Sequence, residues 1–404
     1  MPARAISRTG WIVDRYAAEK IRGFGTTIFA EMSRLSAIHG AINLGQGFPD
    51  FAGPDFVKNA AKAAIDADLN QYAIPYGAPR LRRAIAQGWR QATGRELDVD
   101  QEITVASGAT EVIFDAIQAF LSPGDEMISF EPFYDSYPAS AILASARLIP
   151  VTLRAPDWSF DRDEFLAALS DRTKLLLINT PHNPTGKVFA RNELEWIAGI
   201  AQERDLVVLT DEVYDRITYD DVEHVSIATL PGMWERTLTI NSTGKTFSMT
   251  GWKIGYAIGP ANLNAALRAV HQFVTFATAT PFQEAMAVAM ETAAGNGYYD
   301  QLRVDYARRR ELMRAAIENA GLKTLPVSGS YFLMADFSGL DFENDIEFCK
   351  FLVSDVGVAT VPPSVFYSDP ARAAKLARFC FAKKDETIAA AAERLIAGRS
   401  KIGR

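Results

Sequence analysis

The chain has 404 residues, 48% of them apolar, with 42 basic against 49 acidic side chains and a net charge of -7. That length exceeds one comfortable core and implies two or three units of packing, while the dispersed, slightly acidic charge argues against nucleic acid as a partner. No stretch approaches the roughly 20 apolar residues of a membrane span, and the two cysteines, Cys349 and Cys380, are too few for a disulfide scaffold or a zinc site.

The N-terminus offers no signal-like apolar region, since Trp11-Ile12-Val13 is cut off by Asp14 and Arg15. A cytoplasmic protein is expected. The first 50 residues carry Gly-rich punctuation, Gly45-Gln46-Gly47-Phe48-Pro49-Asp50. From about residue 100 to 260 short apolar runs at 103–106, 127–130, 148–153, 175–179, 206–210, 238–241 and 256–258 alternate with helical periodicity, as at 112–121, 162–169 and 192–203. Seven strands in a mostly parallel α/β sheet with helices on both faces are expected. After residue 300 come a charged helix over 301–320, strand-like 331–336, a helix over 343–356, strand-like 358–361 and 376–382, and a closing helix from Glu386. This mixture reads as a smaller α+β domain. The expected division is 1–50 as an arm and part of the small domain, 51–300 as the large domain and 301–404 as the small one. Arg308-Arg309-Arg310 reads as a solvated helix face.

Ligands of open α/β sheets collect outside the carboxyl ends of the strands. Past 103–106 stands Ser107-Gly108-Ala109-Thr110-Glu111, a helix start whose free N–H groups can cradle an anion; a plain helix cap is the alternative. Past 175–179, Thr180-Pro181-His182-Asn183-Pro184-Thr185-Gly186 is a rigid turn that presents Asn183, or merely a structural turn. Asp211-Glu212-Val213-Tyr214 follows 206–210, where an acid can equally cap the next helix. Ser242-Thr243-Gly244-Lys245 follows 238–241, with Lys253 eight residues on. This is neither a P-loop nor a G-x-G-x-x-G nucleotide fingerprint, so a nucleotide-binding module is the weakest reading.

A single ligand over all four loops needs a phosphate, a hydrogen-bonding ring substituent, a ring nitrogen for an acid and an aldehyde for a lysine. Pyridoxal 5'-phosphate meets each requirement. Lys245 then acts as amine nucleophile and proton shuttle, with Lys253 balancing the phosphate. An amino-acid substrate needs its carboxylate fixed by a planar fork, for which Arg378 is the candidate.

These segments, with Asn43-Leu44-Gly45-Gln46-Gly47-Phe48-Pro49-Asp50-Phe51 and Leu230-Pro231-Gly232-Met233-Trp234-Glu235-Arg236, resemble class I aminotransferases of pyridoxal-phosphate fold type I. The branch is that of kynurenine, glutamine and methionine aminotransferases. The resemblance implies that Lys245 is the Schiff-base lysine, with Asp211 on the pyridine nitrogen and Asn183 and Tyr214 on the ring hydroxyl. It implies that Tyr134 stacks on the ring and that Gly108, Ala109, Thr110, Ser242 and Lys253 hold the phosphate. Tyr72 would reach the phosphate of a neighbouring subunit in a homodimer with shared sites. Gly47, Asn183 and Arg378 would receive the substrate carboxylate. Many class I members carry arginine at Lys253, and kynurenine aminotransferases carry a pocket tryptophan at Phe29.

No second arginine for a dicarboxylate is evident, and Phe29, Phe273 and Phe276 suggest a neutral or aromatic side-chain pocket, although helix-core packing is the alternative for the last two. The expectation is an aminotransferase for methionine, phenylalanine, tyrosine, glutamine or kynurenine and a 2-oxo acid. The alternatives are a β-lyase acting on cysteine conjugates, an aspartate aminotransferase and a nonenzymatic regulator.

Overall fold

The computed structural model describes residues 16–25, 27–373 and 375–403. Strand β1 (Ile42–Asn43) precedes a large sheet made of β2 (Ile103–Ala106), β3 (Glu126–Glu131), β4 (Arg147–Arg154), β5 (Ser159–Phe160), β6 (Thr173–Asn179), β7 (Val207–Asp211), β8 (Thr237–Ser242) and β9 (Gly255–Ile258), in the order β2-β9-β8-β7-β6-β3-β4-β5. β10 (Lys323–Thr324), β11 (Phe332–Asp336) and β13 (Leu376–Cys380) form a small antiparallel sheet, while β12 (Val358–Ala359) pairs in parallel with β1. All seven expected strands of the large sheet are present. The eighth, β5, is a two-residue edge strand antiparallel to β4 and too short to leave a periodic signal.

The unbroken apolar runs follow from burial on both faces. Leu175 and Leu177 of β6 join one core with Leu209, Leu238 and Ile240. Leu176 and Ile178, pointing the other way, join a second core with Ile128 and Val208.

Strand direction decides where the polar loops go. β3, β4, β6, β7 and β8 run parallel, and β9 runs against both of its neighbours, β2 and β8. The carboxyl ends of the parallel strands therefore meet the beginning of β9 at one edge, which brings Lys253 to the edge where Asp211 and Ser242 leave. Gly255 makes this approach possible, because a Cβ there would lie 2.3 Å from the Ala109 nitrogen and 2.4 Å from the Gly108 carbonyl carbon.

In the small sheet Met334 pairs with Arg378. The Cys380 amide donates to the Leu44 carbonyl at 2.7 Å, and the Tyr331 hydroxyl donates to the Gly47 carbonyl at 2.7 Å. Residues 44–47 are thereby laid over β13. The helix Tyr298–Asn319 carries the arginine triplet, and here the solvated-face reading is corrected. Arg310 binds both oxygens of Asp220, at 2.6 and 2.8 Å, and the Val327 carbonyl at 3.0 Å; Arg309 lies 4.2 Å from the Phe51 ring centre; Arg308 pairs with Asp385. The helix lies against an acidic loop and the acidic start of the helix Asp385–Ala397, so the triplet acts as an anchor. No described helix is long and apolar enough to cross a membrane.

Gly255→Ala is expected to lower stability by about 1–3 kcal/mol through overpacking against backbone. Urea denaturation reads this directly, and an unchanged midpoint would show that the helix start does not rest on β9.

Candidate active site

The edge encloses a cleft of about 360 Å³. Its walls include Phe29, Gly47, Gly108, Ala109, Thr110, Tyr134, Asn183, Asp211, Tyr214, Ser242, Lys245, Lys253 and Arg378. Of the residues singled out from sequence for cofactor or substrate, Phe273 and Phe276 lie outside this cleft, and so does Tyr72. It is 83% exposed and packs edge-on against Phe276 at 5.3 Å.

At one end of the cleft the helix Ala109–Phe120 begins after Gly108, whose φ of +90° suits glycine. A Cβ on Gly108 would come within 3.0 Å of both Nζ and Cε of Lys253, so the ammonium sits against the helix start. Glu111, in the first turn, accepts from the Ser107 amide and fixes the loop. Free N–H groups, the helix dipole and Lys253 all favour an anion here.

At the centre, Lys245 stands on the four-residue helix Thr243–Thr246, capped by Ser242 Oγ, which accepts from the Gly244 amide at 3.2 Å. Its Nζ lies 5.8 Å from the ring centres of Tyr214 and Tyr331. Burial lowers the ammonium to about 8; Asp211 opposes the shift, while Lys253 and Arg378 reinforce it. Asp211, the last residue of β7, is raised by burial to about 6, and is held from going higher by bonds from the Tyr137 hydroxyl at 2.6 Å and the Val213 amide at 3.3 Å. Asn179 ties the neighbouring loops together: its Nδ2 donates to the Asp211 carbonyl at 2.8 Å, and its Oδ1 accepts from the Asn183 amide at 2.7 Å. Burial raises the phenols of Tyr134 and Tyr214, keeping both as neutral donors.

At the far end, Arg378 is 2% exposed. Nη2 donates to the Gly45 carbonyl at 2.8 Å and Nη1 to Asn183 Oδ1 at 3.3 Å, while Nε has no partner among the described residues. Phe332, Phe366 and Phe29 surround the guanidinium at 4.3, 5.1 and 5.2 Å. Burial brings it down to about 10, which leaves it charged at neutral pH. Gly47 closes this end, with room for no side chain, since a Cβ would lie 2.7 Å from the Phe332 ring.

Tyr137, Phe332 and Phe366 were not singled out in the sequence. Tyr137 follows Tyr134 by three residues, and that spacing was its one local signal. Phe332 shares a face with Arg378 only through the β11–β13 register. Lys253 with Gly108 at one end and the orphaned Arg378 Nε at the other suit a phosphorylated cofactor and a carboxylate, with Lys245 between them. The donor set fits pyridoxal 5'-phosphate.

Fold and site together define a fold type I pyridoxal-phosphate enzyme. The chain matches the family described as aminotransferase class I and II over residues 39–395 and belongs to it. It is 41% identical to a methionine aminotransferase of Escherichia coli, over 93% of this chain and 97% of the relative. It is 37% identical to a kynurenine–oxoglutarate transaminase of Dictyostelium discoideum, over 94% and 95%. The solved structure of N-succinyldiaminopimelate aminotransferase from Mycobacterium tuberculosis superposes with a TM-score of 0.90 at 41% identity, covering 94% of this chain and 99% of that one. The protein is a pyridoxal 5'-phosphate-dependent aminotransferase whose substrates are amino acids and 2-oxo acids.

With Lys245 at about 8, roughly a tenth of the amine is neutral at pH 7, against well under a thousandth for an ordinary lysine. Capture of added pyridoxal 5'-phosphate by the apoprotein, trapped with borohydride and mapped by peptide mass, is expected to rise with pH around a midpoint near 8. A midpoint in the ordinary lysine range would refute the effect of burial on this amine.

Proposed function

We propose that the protein moves the amino group of a neutral or aromatic L-amino acid, of methionine, phenylalanine, tyrosine, glutamine or kynurenine type, to a 2-oxo acid in a ping-pong sequence. One observation carries the substrate class: the buried Arg378, with Nε unpaired, stands among aromatic rings, and the other cations lining the cleft are Lys245 and Lys253. One carboxylate is thereby matched and a second is not. The methionine and kynurenine activities named for two relatives support the same class.

When bound, pyridoxal 5'-phosphate supplies an electron sink for the pair left at the substrate Cα and a carbon that carries the amino group between half-reactions. Gly108, Ala109, Thr110, Ser242 and Lys253 are assigned to its phosphate, Tyr134 to its ring face, and Asn183 and Tyr214 to its hydroxyl. Asp211 holds positive charge at the ring nitrogen. Lys245 would be the amine that holds the cofactor and, as a free amine, would carry the proton to and from the substrate Cα. Arg378, Asn183 and Gly47 orient the substrate carboxylate, and Phe29 faces its side chain.

The same reading makes the protein a homodimer in which Tyr72 serves the partner's phosphate. An exposed apolar group, Leu69, Tyr72, Ile74, Phe273 and Phe276, supports a subunit contact there. Residues 51–300 are taken as the cofactor-bearing domain and 301–404, with part of 1–50, as the smaller one, in keeping with the β1–β12 pairing. Two free, buried cysteines accord with a cytoplasmic setting.

Incubation with methionine, phenylalanine, glutamine and kynurenine plus a 2-oxo acid tests the class; stoichiometric amino transfer is expected. Pyruvate from a cysteine conjugate without amino transfer would instead establish the β-lyase. Lys245→Ala should abolish transfer and the absorbance of the bound cofactor. Arg378→Ala should lower kcat/KM about 10²-fold, the scale of a lost charge-assisted pair, mainly through KM for both substrates. Unaltered kinetics would remove Arg378 from the site.

A further inference from the structure

We infer that Tyr137 is a positioning residue of the amino-transfer site, whose phenol keeps the Asp211 carboxylate ionised and fixed in the cleft. The inference rests on the reading of Asp211 as the partner of the cofactor's ring nitrogen only for its functional consequence; the grip of one side chain on the other stands on geometry.

Tyr137 lies in the first turn of the helix Ser136–Leu143, is 1% exposed and also borders the cleft. Its hydroxyl donates to Asp211 Oδ2 at 2.6 Å, a distance typical of a bond to a charged oxygen. Its amide donates to the Tyr134 carbonyl at 3.0 Å, and its ring meets that of Tyr134 edge-on at 5.8 Å, so the phenol has little freedom to turn away. Asp211 Oδ1 receives the Val213 amide, at 3.3 Å, and the Asn179 amide group pins the backbone carbonyl behind it. Among the described residues, Tyr137 is thus the sole side chain that hydrogen-bonds the carboxylate.

Three effects compete at this oxygen pair. Burial favours the neutral acid, Glu212 next in sequence does the same, and Lys245 favours the anion. Tyr134 and Tyr214 also face Asp211, but their phenols are held neutral and add no charge. Deleting the Tyr137 hydroxyl leaves one backbone donor against burial, and the carboxyl takes up a proton near neutral pH. A neutral acid makes no charge pair with a protonated ring nitrogen.

Tyr137→Phe keeps the ring and removes the donor. In the apoprotein, with Asp carboxyl carbons labelled and Asp211→Asn assigning the signal, the Asp211 midpoint in wild type is expected near 6. In the variant it is expected more than one unit higher. The dissociation constant for pyridoxal 5'-phosphate should then rise about threefold or more over wild type at pH 6.5 and approach the wild-type value at pH 8.5, since only the ionised carboxyl binds well. Replacing Tyr137 by 3-fluorotyrosine, a stronger donor, should move the midpoint down and keeps the test open if Tyr137→Phe does not fold. An unmoved midpoint, or a loss of affinity independent of pH, would overturn the inference and leave Tyr137 a packing residue. If the midpoint moves while neither Tyr137→Phe nor Asp211→Asn affects cofactor affinity, Tyr137 governs the carboxylate and the ring-nitrogen role of Asp211 is what fails.

Discussion

Charge taken out of water without a matching opposite charge is the constraint on which this molecule turns. Arg378 and Lys245 face one cleft, and no carboxylate lies within 4.0 Å of either among the described residues. Burial of this kind is costly, and a group responds by finding other partners or by giving up its proton. The two cations respond differently. The guanidinium, with its delocalised charge, falls only to about 10 and stays charged, accepting carbonyl oxygens and aromatic faces as partial compensation. The ammonium falls to about 8 and becomes available as an amine. One environment thus yields a fixed charge of the kind a carboxylate needs and an amine of the kind that attacks a carbonyl.

The architecture serves this by delivery. A wholly parallel sheet would bring only loops after strands to the edge. The reversed β9 adds a residue that precedes a strand, Lys253, and its first residue, Gly255, lets the helix start of Ala109–Phe120 settle on it. The opposite wall comes from further off: β13 supplies Arg378, and the segment 44–47, hydrogen-bonded to Cys380 and Tyr331, supplies the carbonyl and the glycine beside it. The proposed cofactor cradle and carboxylate site belong to different sheets, so the cleft exists only when both are packed together.

Much of this was legible because strand ends carry ligands in any such sheet, and Asn183, Asp211, Ser242 and Lys245 each follow a recognisable run. Choosing Asp211 over the adjacent Glu212 needed more than composition. In the structure the pleat separates them: Asp211 turns to the cleft, and Glu212 is taken up by Thr210, Ser226 and His224 at 2.8–2.9 Å. Phe332, Phe366 and Tyr137 stayed hidden because their roles depend on register and helix placement, which single-sequence patterns do not encode. The arginine triplet misled for a related reason, its acidic partners Asp220 and Asp385 lying 90 and 77 residues away.

The cradle is itself held by buried charge. His271 has an acceptor at each ring nitrogen, Glu111 Oε1 at Nδ1 and the Pro75 carbonyl at Nε2, both at 2.9 Å, which requires the imidazolium. Despite burial, the carboxylates of Asp115 and Glu111 and the Pro75 carbonyl raise it to about 9, while burial pushes Asp115 toward its neutral form. His271 and Glu111 thus form a buried ion pair in which each charge offsets the burial of the other. Glu111 hands the constraint to the Ser107 amide at the mouth of the cradle, and Pro75 hands it to the exposed segment that carries Tyr72. The residue proposed to serve a partner subunit is therefore anchored to the same ion pair that shapes the phosphate end of its own cleft. A local pair of charges sets the geometry on both sides of the proposed subunit contact.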